Sequence, residues 1–269
     1  MATFLHSSDR ADLSALLGNR RWIRSAYPFP YVCATEVFVP EFYQLVENAY
    51  QAILGRGLSE SSTSKGFSRT FAAYDAYGAD LPTDLENPLS VFVSRSWHDM
   101  IARIFNINVT GDMNAALHHH RAGSGNGSIH NDLNPGWFIG AATAERVNIA
   151  DSALCSYKYG SPARGSGGAR ETIRAIAMIF YLANRGWNRG DGGETGLYEV
   201  RSDSVDHPAI AIPPFNNSLL AFECSPFSFH SFIRNKYPRN CVVLWWHRTR
   251  GDATSRWGEH KIVGWTPRR

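Results

Sequence analysis

Apolar residues recur at helical spacing near the start of the chain. Between Glu41 and Leu54 they would share one face of a helix, at Phe42, Leu45, Val46, Ala49, Tyr50 and Ile53. Pro40 suits the first helical position, and Gly55 suits a stop. The pattern predicts an amphipathic helix in this segment.

A second helix is predicted to begin at Pro88, with Asn87 as its cap. Its apolar side chains, again on one side, are Leu89, Phe92, Val93, Ile101, Ile104 and Phe105. Together the two helices predict that residues 1–107 form a helical support for the rest of the fold.

The pattern changes after Asn108, where short apolar runs alternate with Gly- and Pro-rich turns. The runs are AIAMIFYLA at 175–183, SLLAF at 218–222 and CVVLWW at 241–246. They are too short for buried helices and are typical of strands in a sandwich, jelly roll or barrel. The sequence therefore predicts a mainly β fold with flanking helices. Residues 108–269 would form a β core on which the region 1–107 packs, within one continuous structural domain.

The composition excludes several classes of protein. Of the 269 residues, 43% are hydrophobic, which is enough to build a large core and excludes a disordered chain. No run of about 18 apolar residues occurs, so we expect no contact with a membrane through a spanning helix. The net charge of +3 is small and the basic residues are scattered, so nucleic acid is not an expected partner. The start lacks a secretory pattern and the four cysteines lie far apart, so a cytoplasmic protein is expected.

The tripeptide His130-Asn131-Asp132 is the first pattern that indicates chemistry. On a strand, His130 and Asp132 would point to one face and Asn131 to the other. An imidazole beside a carboxylate is two thirds of a facial triad for non-haem Fe(II), and the third ligand would be a histidine from elsewhere. His230 follows a strand-like run, and Arg239 opens another, where its guanidinium could bind a carboxylate. Taken singly, these residues are more simply explained as a polar strand end, a core histidine and a surface charge.

Three segments together resemble the Fe(II)/2-oxoglutarate-dependent oxygenases, in the branch similar to the prolyl hydroxylases. The segments are HHHRAGSGNGSIHND, RAIAMIFYLANRGWNRGDGGETGLY and AIPPFNNSLLAFECSPFSFHSFIRNKYPRNCVVLWW. They lie between Asn114 and His247, about half of the chain. The resemblance implies a double-stranded β-helix, the jelly-roll or cupin-like core of that family. It also implies Fe(II), the co-substrate 2-oxoglutarate and O₂, with ascorbate as a reductant.

The resemblance assigns roles to individual residues. It implies that His130, Asp132 and His230 bind the iron, and that these three form the catalytic centre. It implies that Arg239 forms a salt bridge with the distal carboxylate of 2-oxoglutarate, which the Tyr181 hydroxyl also reaches. Because Asp132 is present, a halide has no vacant ligand position, so hydroxylation is favoured over halogenation.

Other site residues transfer from the family less directly. His120 stands where the prolyl hydroxylases have a tyrosine near the co-substrate. Arg174 aligns with a substrate-facing arginine of one subgroup, and Trp245 with an aromatic residue behind the metal. We also place Trp137 and Asn131 on the substrate side. The segment 140–168 is either a lid over the substrate or a surface insertion.

The substrate is the least determined part of the prediction. The favoured hypothesis is hydroxylation of an unactivated C–H bond in a small molecule, a free amino acid or a biosynthetic intermediate, with 2-oxoglutarate converted to succinate and CO₂. The alternative is hydroxylation of prolyl or other residues in a protein. A hypothesis of a different class is a non-catalytic jelly-roll binding domain. Desaturation, cyclisation and epimerisation remain open, and so does the oligomeric state.

Overall fold

Most strands of the protein join one large mixed sheet. The computed structural model describes residues 11–61, 66–71 and 76–264. In these ranges the strands are β1 (Ile23–Ser25), β2 (Tyr31–Ala34), β3 (Leu58–Ser59), β4 (Phe67–Phe71), β5 (Ala76–Asp80), β6 (Asp112–His120), β7 (Pro135–Phe138), β8 (Asn148–Ile149), β9 (Arg170–Tyr181), β10 (Thr195–Tyr198), β11 (Ile210–Ile212), β12 (Ser218–Glu223), β13 (Phe229–Phe232) and β14 (Arg239–Thr249). The helices are α1 (Leu13–Leu16), α2 (Pro40–Leu54), α3 (Arg95–Phe105) and α4 (Arg250–Trp257), with 3₁₀ turns at Pro88–Val93 and Glu259–Lys261.

The strand order shows which parts of the chain build each sheet. The large sheet runs β1-β2-β12-β9-β14-β6-β5-β4-β3, with β7 also pairing with β9 and β8 with β6. A second sheet has the order β11-β10-β13. The long central strands β9 and β14 are antiparallel neighbours. The predicted β-strands after residue 108 are confirmed, because all three apolar runs lie in strands of the large sheet.

The two faces of the large sheet belong to different apolar clusters, as the side chains of β9 show. Its alternate residues Ile176, Met178 and Phe180 pack into a core with α2, α3 and the first 3₁₀ turn. The intervening residues, including Ile179 and Tyr181, belong to a second apolar cluster on the opposite face. The helices α2 and α3 therefore cover one face, whereas α4 packs on the other face, which also lines a cavity.

The core under the helices is rich in aromatic rings. Phe180 of β9 packs against Phe92 at 4.9 Å and against Phe38 at 5.4 Å between ring centroids. Trp97 of α3 contacts both Phe38 and Phe92. Such pairs add packing energy beyond the area they bury. The predicted helix over 41–54 is confirmed as α2, whose buried residues face this core.

The region 1–107 differs from the prediction in two ways. The second helix is wrong as a single element, because Ser94 adopts extended angles between the 3₁₀ turn and α3 and caps α3 by accepting from the Trp97 N–H. The region also supplies five strands that were not predicted, β1 to β5. Strands this short carry little periodicity of their own, and pairing with the sheet decides their conformation. The division at residues 107/108 stays a prediction.

The described residues contain neither a membrane-spanning helix nor a disulfide. In the ranges that the structure describes, no helix is long and apolar enough to cross a membrane. The four cysteines, Cys33, Cys155, Cys224 and Cys241, all lie in these ranges and are free thiols. Three of them are buried, so they behave as small apolar side chains.

Candidate functional site

Two histidines from distant parts of the chain are held side by side by the backbone. The His130 N–H donates to the His230 carbonyl at 3.1 Å, and the His230 N–H donates to the His130 carbonyl at 2.8 Å. Their ring centroids lie 4.3 Å apart. His230 is on β13 of the small sheet, so this bridge fixes the segment around His130 against that sheet.

Asp132 completes a group of three possible metal ligands. Its Oδ1 lies 3.5 Å from His130 Nε2, and its Oδ2 lies 3.6 Å from His230 Nε2. One ligand atom from each of the three residues can be chosen so that all lie within 4.8 Å of one another. Two imidazoles and one carboxylate are the donor set of non-haem Fe(II) sites that keep open positions.

The convergence of His130 and Asp132 has a different cause from the one predicted. Beyond the bridge at His130 the chain is not a strand, and Asp132 has a left-handed φ of 59°. The Asn131 Oδ1 accepts from the Leu133 N–H at 3.2 Å, which stabilises the bend. The strand alternation predicted for His130-Asn131-Asp132 is therefore wrong, and Asn131 is among the residues that line the same cavity.

The imidazoles present the correct nitrogen to a metal. His130 Nδ1 lies 2.8 Å from the Ser128 carbonyl, and His230 Nδ1 lies 3.0 Å from the Ser228 carbonyl. A proton on each Nδ1 satisfies these carbonyls and leaves the Nε2 lone pairs facing Asp132. Partial desolvation by the surrounding protein atoms, together with the adjacent His230, lowers the pKa of His130 to about 4, so its ring is neutral near pH 7. The three residues therefore fit a divalent transition metal.

The Asp132 carboxylate is fixed by two donors besides the imidazoles. Arg174 Nη1 donates to Oδ1 and Trp245 Nε1 donates to Oδ2, each at 2.6 Å. The Arg174 guanidinium also stacks on the Trp245 ring at 4.0 Å. Burial alone would raise the pKa of Asp132, but Arg174, His130 and His230 together outweigh it and hold that pKa well below its usual range. Arg174 thus contacts the carboxylate of the ligand group, and it also lines the cavity.

Arg239 is a buried cation with polar neighbours and no acid beside it. It is 4% exposed, and it donates to Thr195 Oγ1 and to Cys241 Sγ, both at 3.1 Å. Its Nε has no hydrogen-bond partner, and none of the described carboxylates forms an ion pair with it. An unpaired buried charge is costly, so this guanidinium fits a site for the carboxylate of a ligand.

Tyr181 and Thr195 complete the polar surroundings of Arg239. The Tyr181 hydroxyl lies 2.7 Å from Thr195 Oγ1, and its ring lies 5.1 Å from the guanidinium. Burial raises the pKa of Tyr181 to about 12, so its hydroxyl keeps its proton near neutral pH. Sequence reasoning did not select Thr195, which follows the Gly-Gly turn and has no pattern of its own.

The three consecutive histidines, His118, His119 and His120, divide between the two faces of β6. His118 and His120 line the cavity, and His120 stacks on Phe232 at 3.9 Å. His119 is buried on the other face, where its Nδ1 lies 2.7 Å from Asn240 Oδ1. In the antiparallel register His120 is directly opposite Arg239.

Part of the segment 140–168 forms a wall of the cavity. Tyr157, Lys158 and Tyr159 line it, and the Tyr157 hydroxyl accepts from Arg174 Nε at 3.3 Å. The Tyr157 ring sits against Gly136, where a Cβ would approach it to 2.5 Å. Sequence reasoning missed Tyr157 because the segment shows no periodicity.

Trp137 is placed away from the cavity. It is not among the lining residues, and its ring sits against Gly160, where a Cβ would lie 2.5 Å from it. The backbone N–H of Trp137 donates to the Tyr157 carbonyl at 3.0 Å. Trp137 therefore packs against the wall segment on the side away from the cavity. The expectation that it lines the substrate side is not met.

The ligand group and Arg239 open into one cavity of about 780 Å³. Its lining comes from both sheets and from the 152–159 segment. The His130 side chain is 47% exposed, whereas Asp132 and His230 are 7% exposed. The metal position therefore faces the cavity mouth on the His130 side.

A family model matches part of this chain. Residues 156–247, about a third of the chain, match the family model of the 2OG-Fe(II) oxygenase superfamily. The matched segment contains His230 and Arg239 but begins after His130 and Asp132. The grouping of those two residues with His230 rests on the geometry described above.

A curated relative and a solved structure are also similar to this chain. The chain is 32% identical over 94 residues to prolyl 3-hydroxylase OGFOD1 of Xenopus laevis, which is 34% of this chain and 18% of the frog protein. The chain thus matches less than a fifth of that relative's length. A solved prolyl hydroxylase from Trichoplax adhaerens, in complex with a hypoxia inducible factor oxygen degradation domain peptide, superposes with a TM-score of 0.54. That match has 14% identity and covers 84% of this chain and 86% of that chain. It confirms the predicted jelly-roll fold.

Buried imidazoles in the protein predict a loss of stability in acid. Burial lowers the pKa of His118 to about 4 and that of His247 well below its usual range. Histidines of an unfolded chain titrate near pH 6.5, so protons favour the unfolded state as the pH falls from about 6.5 towards 4. We expect the urea midpoint of the metal-free protein to be lower at about pH 5 than at about pH 7.5. Tryptophan fluorescence measures it, and an equal or higher midpoint in acid would contradict this expectation.

Proposed function

We propose that this protein is an Fe(II)- and 2-oxoglutarate-dependent dioxygenase that hydroxylates prolyl or other residues within a protein substrate. One observation carries the enzymatic part: His130, Asp132 and His230 converge in the same cavity as the buried, acid-free guanidinium of Arg239. A metal site and a carboxylate site in one cavity are what a keto-acid-dependent oxygenase requires. A non-catalytic binding domain would not need both.

The choice of substrate class follows the relatives. The similar frog protein is named a prolyl 3-hydroxylase. The cavity opens beside the half-exposed His130 and would admit a segment of chain there. The small-molecule substrate expected from the sequence has no support among these relatives, so the protein substrate takes precedence.

Iron would be held by His130 Nε2, His230 Nε2 and the Asp132 carboxylate. Bound there, it would supply the oxygen activation that couples decarboxylation of 2-oxoglutarate to hydroxylation. Arg174 and Trp245 would keep the carboxylate in its orientation through their two hydrogen bonds.

The co-substrate would lie between the metal ligands and Arg239. The guanidinium would bind its distal carboxylate, with the Tyr181 and Thr195 hydroxyls oriented beside it. Phe232 and Val243 give this part of the cavity apolar walls. Such walls exclude bulk water and strengthen the electrostatic interactions inside.

The test is succinate release with Fe(II), 2-oxoglutarate and O₂, measured against two substrate panels. One panel contains proline-containing peptides, and the other contains free amino acids and related metabolites. Stimulation by peptides, with one added oxygen in their mass spectra, is the expected result. Stimulation only by metabolites would overturn the substrate class. A product lighter than the peptide by two hydrogen atoms would show that the reaction is desaturation and not hydroxylation.

A further inference from the structure

We propose that His118 is a co-substrate-positioning residue, whose imidazole hydrogen-bonds 2-oxoglutarate between Arg239 and the metal ligands. The inference rests on the proposed function, because it concerns the same cavity. It assigns a task to one of three adjacent histidines whose chemistry the metal centre does not use.

The position of His118 is set by the register of the sheet. On β6 it lies on the same face as His120, two residues further along the strand from the position opposite Arg239. Its ring centroid is 6.5 Å from that of Trp245, the residue whose indole N–H donates to Asp132. His118 therefore lies on the cavity floor between the guanidinium and the metal ligands.

The neighbours of His118 leave its ring without a hydrogen bond. Its partner on β5 is Gly78, which has no side chain, and its partner on β14 is Cys241, whose sulfur accepts from Arg239. Neither nitrogen of the His118 ring has a hydrogen-bond partner within the part of the chain that the structure describes. The adjacent His119, by contrast, is bound to Asn240 Oδ1.

The charge state of His118 suits this task. Burial, with the charges of Arg239 and Arg174, lowers its pKa to about 4, so the ring is neutral near pH 7. A neutral imidazole offers one N–H and one lone pair. An N–H directed into a cavity that binds a dicarboxylate finds its partner in the oxygen atoms of that ligand. A hydrogen bond to a charged acceptor is stronger than one between neutral groups.

The test compares His118→Leu, which removes the donor, with His118→Gln, which keeps an N–H at a similar reach. Binding of 2-oxoglutarate is measured anaerobically by calorimetry in the presence of Mn(II), so no turnover is needed. We expect His118→Leu to weaken binding about tenfold, and His118→Gln to recover most of it. Mn(II) affinity without 2-oxoglutarate should stay unchanged in both variants. The exposed His207, which lies outside the cavity lining, provides the matched control His207→Leu.

The outcomes separate this inference from the proposed function. If the wild-type protein with Mn(II) does not bind 2-oxoglutarate, the proposed function itself fails. If the wild type binds and His118→Leu binds equally well, only the role of His118 is overturned. A rise in the KM for the peptide substrate with unchanged 2-oxoglutarate affinity would also overturn it, because the ring would then contact substrate. Thermal unfolding of both variants shows whether a weaker affinity reflects a damaged fold.

Discussion

Asp132→Asn should weaken binding of a divalent metal at least 100-fold and abolish substrate-stimulated succinate formation. The substitution keeps the size of the side chain and one acceptor oxygen, but it removes the negative charge that faces two imidazole nitrogens. Loss of a contact that only orients a ligand already costs about 10- to 100-fold in metal affinity, so loss of a charged ligand costs more. Calorimetry with Mn(II) or Co(II) measures the affinity.

The control for this variant is Asp206→Asn. Asp206 is exposed and pairs with Arg234 on the surface, so its loss should leave metal affinity unchanged. Asp132→Ala is a less suitable variant, because it also removes the carboxylate that pairs with the buried Arg174 and should destabilise the fold by about 3–5 kcal/mol. If Asp132→Asn bound metal as tightly as the wild type, the ligand assignment would be wrong.

Arg239→Met should weaken 2-oxoglutarate binding about 100-fold or more without destabilising the ligand-free protein. The guanidinium is the buried cation of the cavity that has no acid beside it among the described residues, so its carboxylate partner has to come from a ligand. Methionine fills a similar volume and carries no charge to desolvate. Replacement of a buried charge by a well-packed apolar side chain is often neutral or stabilising.

This combination of effects distinguishes a ligand-binding arginine from a structural one. Thermal unfolding of the ligand-free variant and calorimetry with 2-oxoglutarate and Mn(II) measure the two effects. Arg239→Lys should recover little affinity, because an ammonium cannot form the bidentate pair. Arg201→Met, at an exposed position on the cavity lining, is the matched control. A large loss of stability in Arg239→Met, with normal co-substrate affinity, would refute the assignment.

The predictable part of the fold was the part with strong periodicity. The apolar runs that became β9, β12 and β14 are buried and long enough to be recognised without any partner. The two-residue strand β3 and the three-residue strand β1 have too few positions for an alternating pattern. Their conformation follows from the sheet edge beside them, which only the folded chain provides.

Some residues of the candidate site could also be predicted from the sequence, whereas the local geometry that brings them together could not. His130, Asp132, His230 and Arg239 were selected by resemblance, and the structure brings all four to one cavity. The reason that Asp132 joins His130 is a left-handed residue, which the sequence does not specify for an aspartate.

Contacts that depend on the third dimension were missed for a related reason. Tyr157 reaches Arg174 from a segment without regular pattern, and Thr195 reaches Arg239 from another strand. Neither pair is close in sequence, and neither residue type stands out alone. Trp137 was misplaced because an aromatic residue near the ligands is equally suited to fastening a turn from behind.

The N-terminal strands protect the borders of the large sheet against pairing with other chains. Without residues 1–107, β12 and β6 would become the borders of a sheet whose N–H and C=O groups are open to intermolecular pairing. In the whole protein β2 and β1 cover one border and β5, β4 and β3 the other, and each series ends in a very short strand. The N-terminal region thus protects the sheet borders from aggregation. A fragment that begins at residue 108 would lose these border strands together with helices α2 and α3.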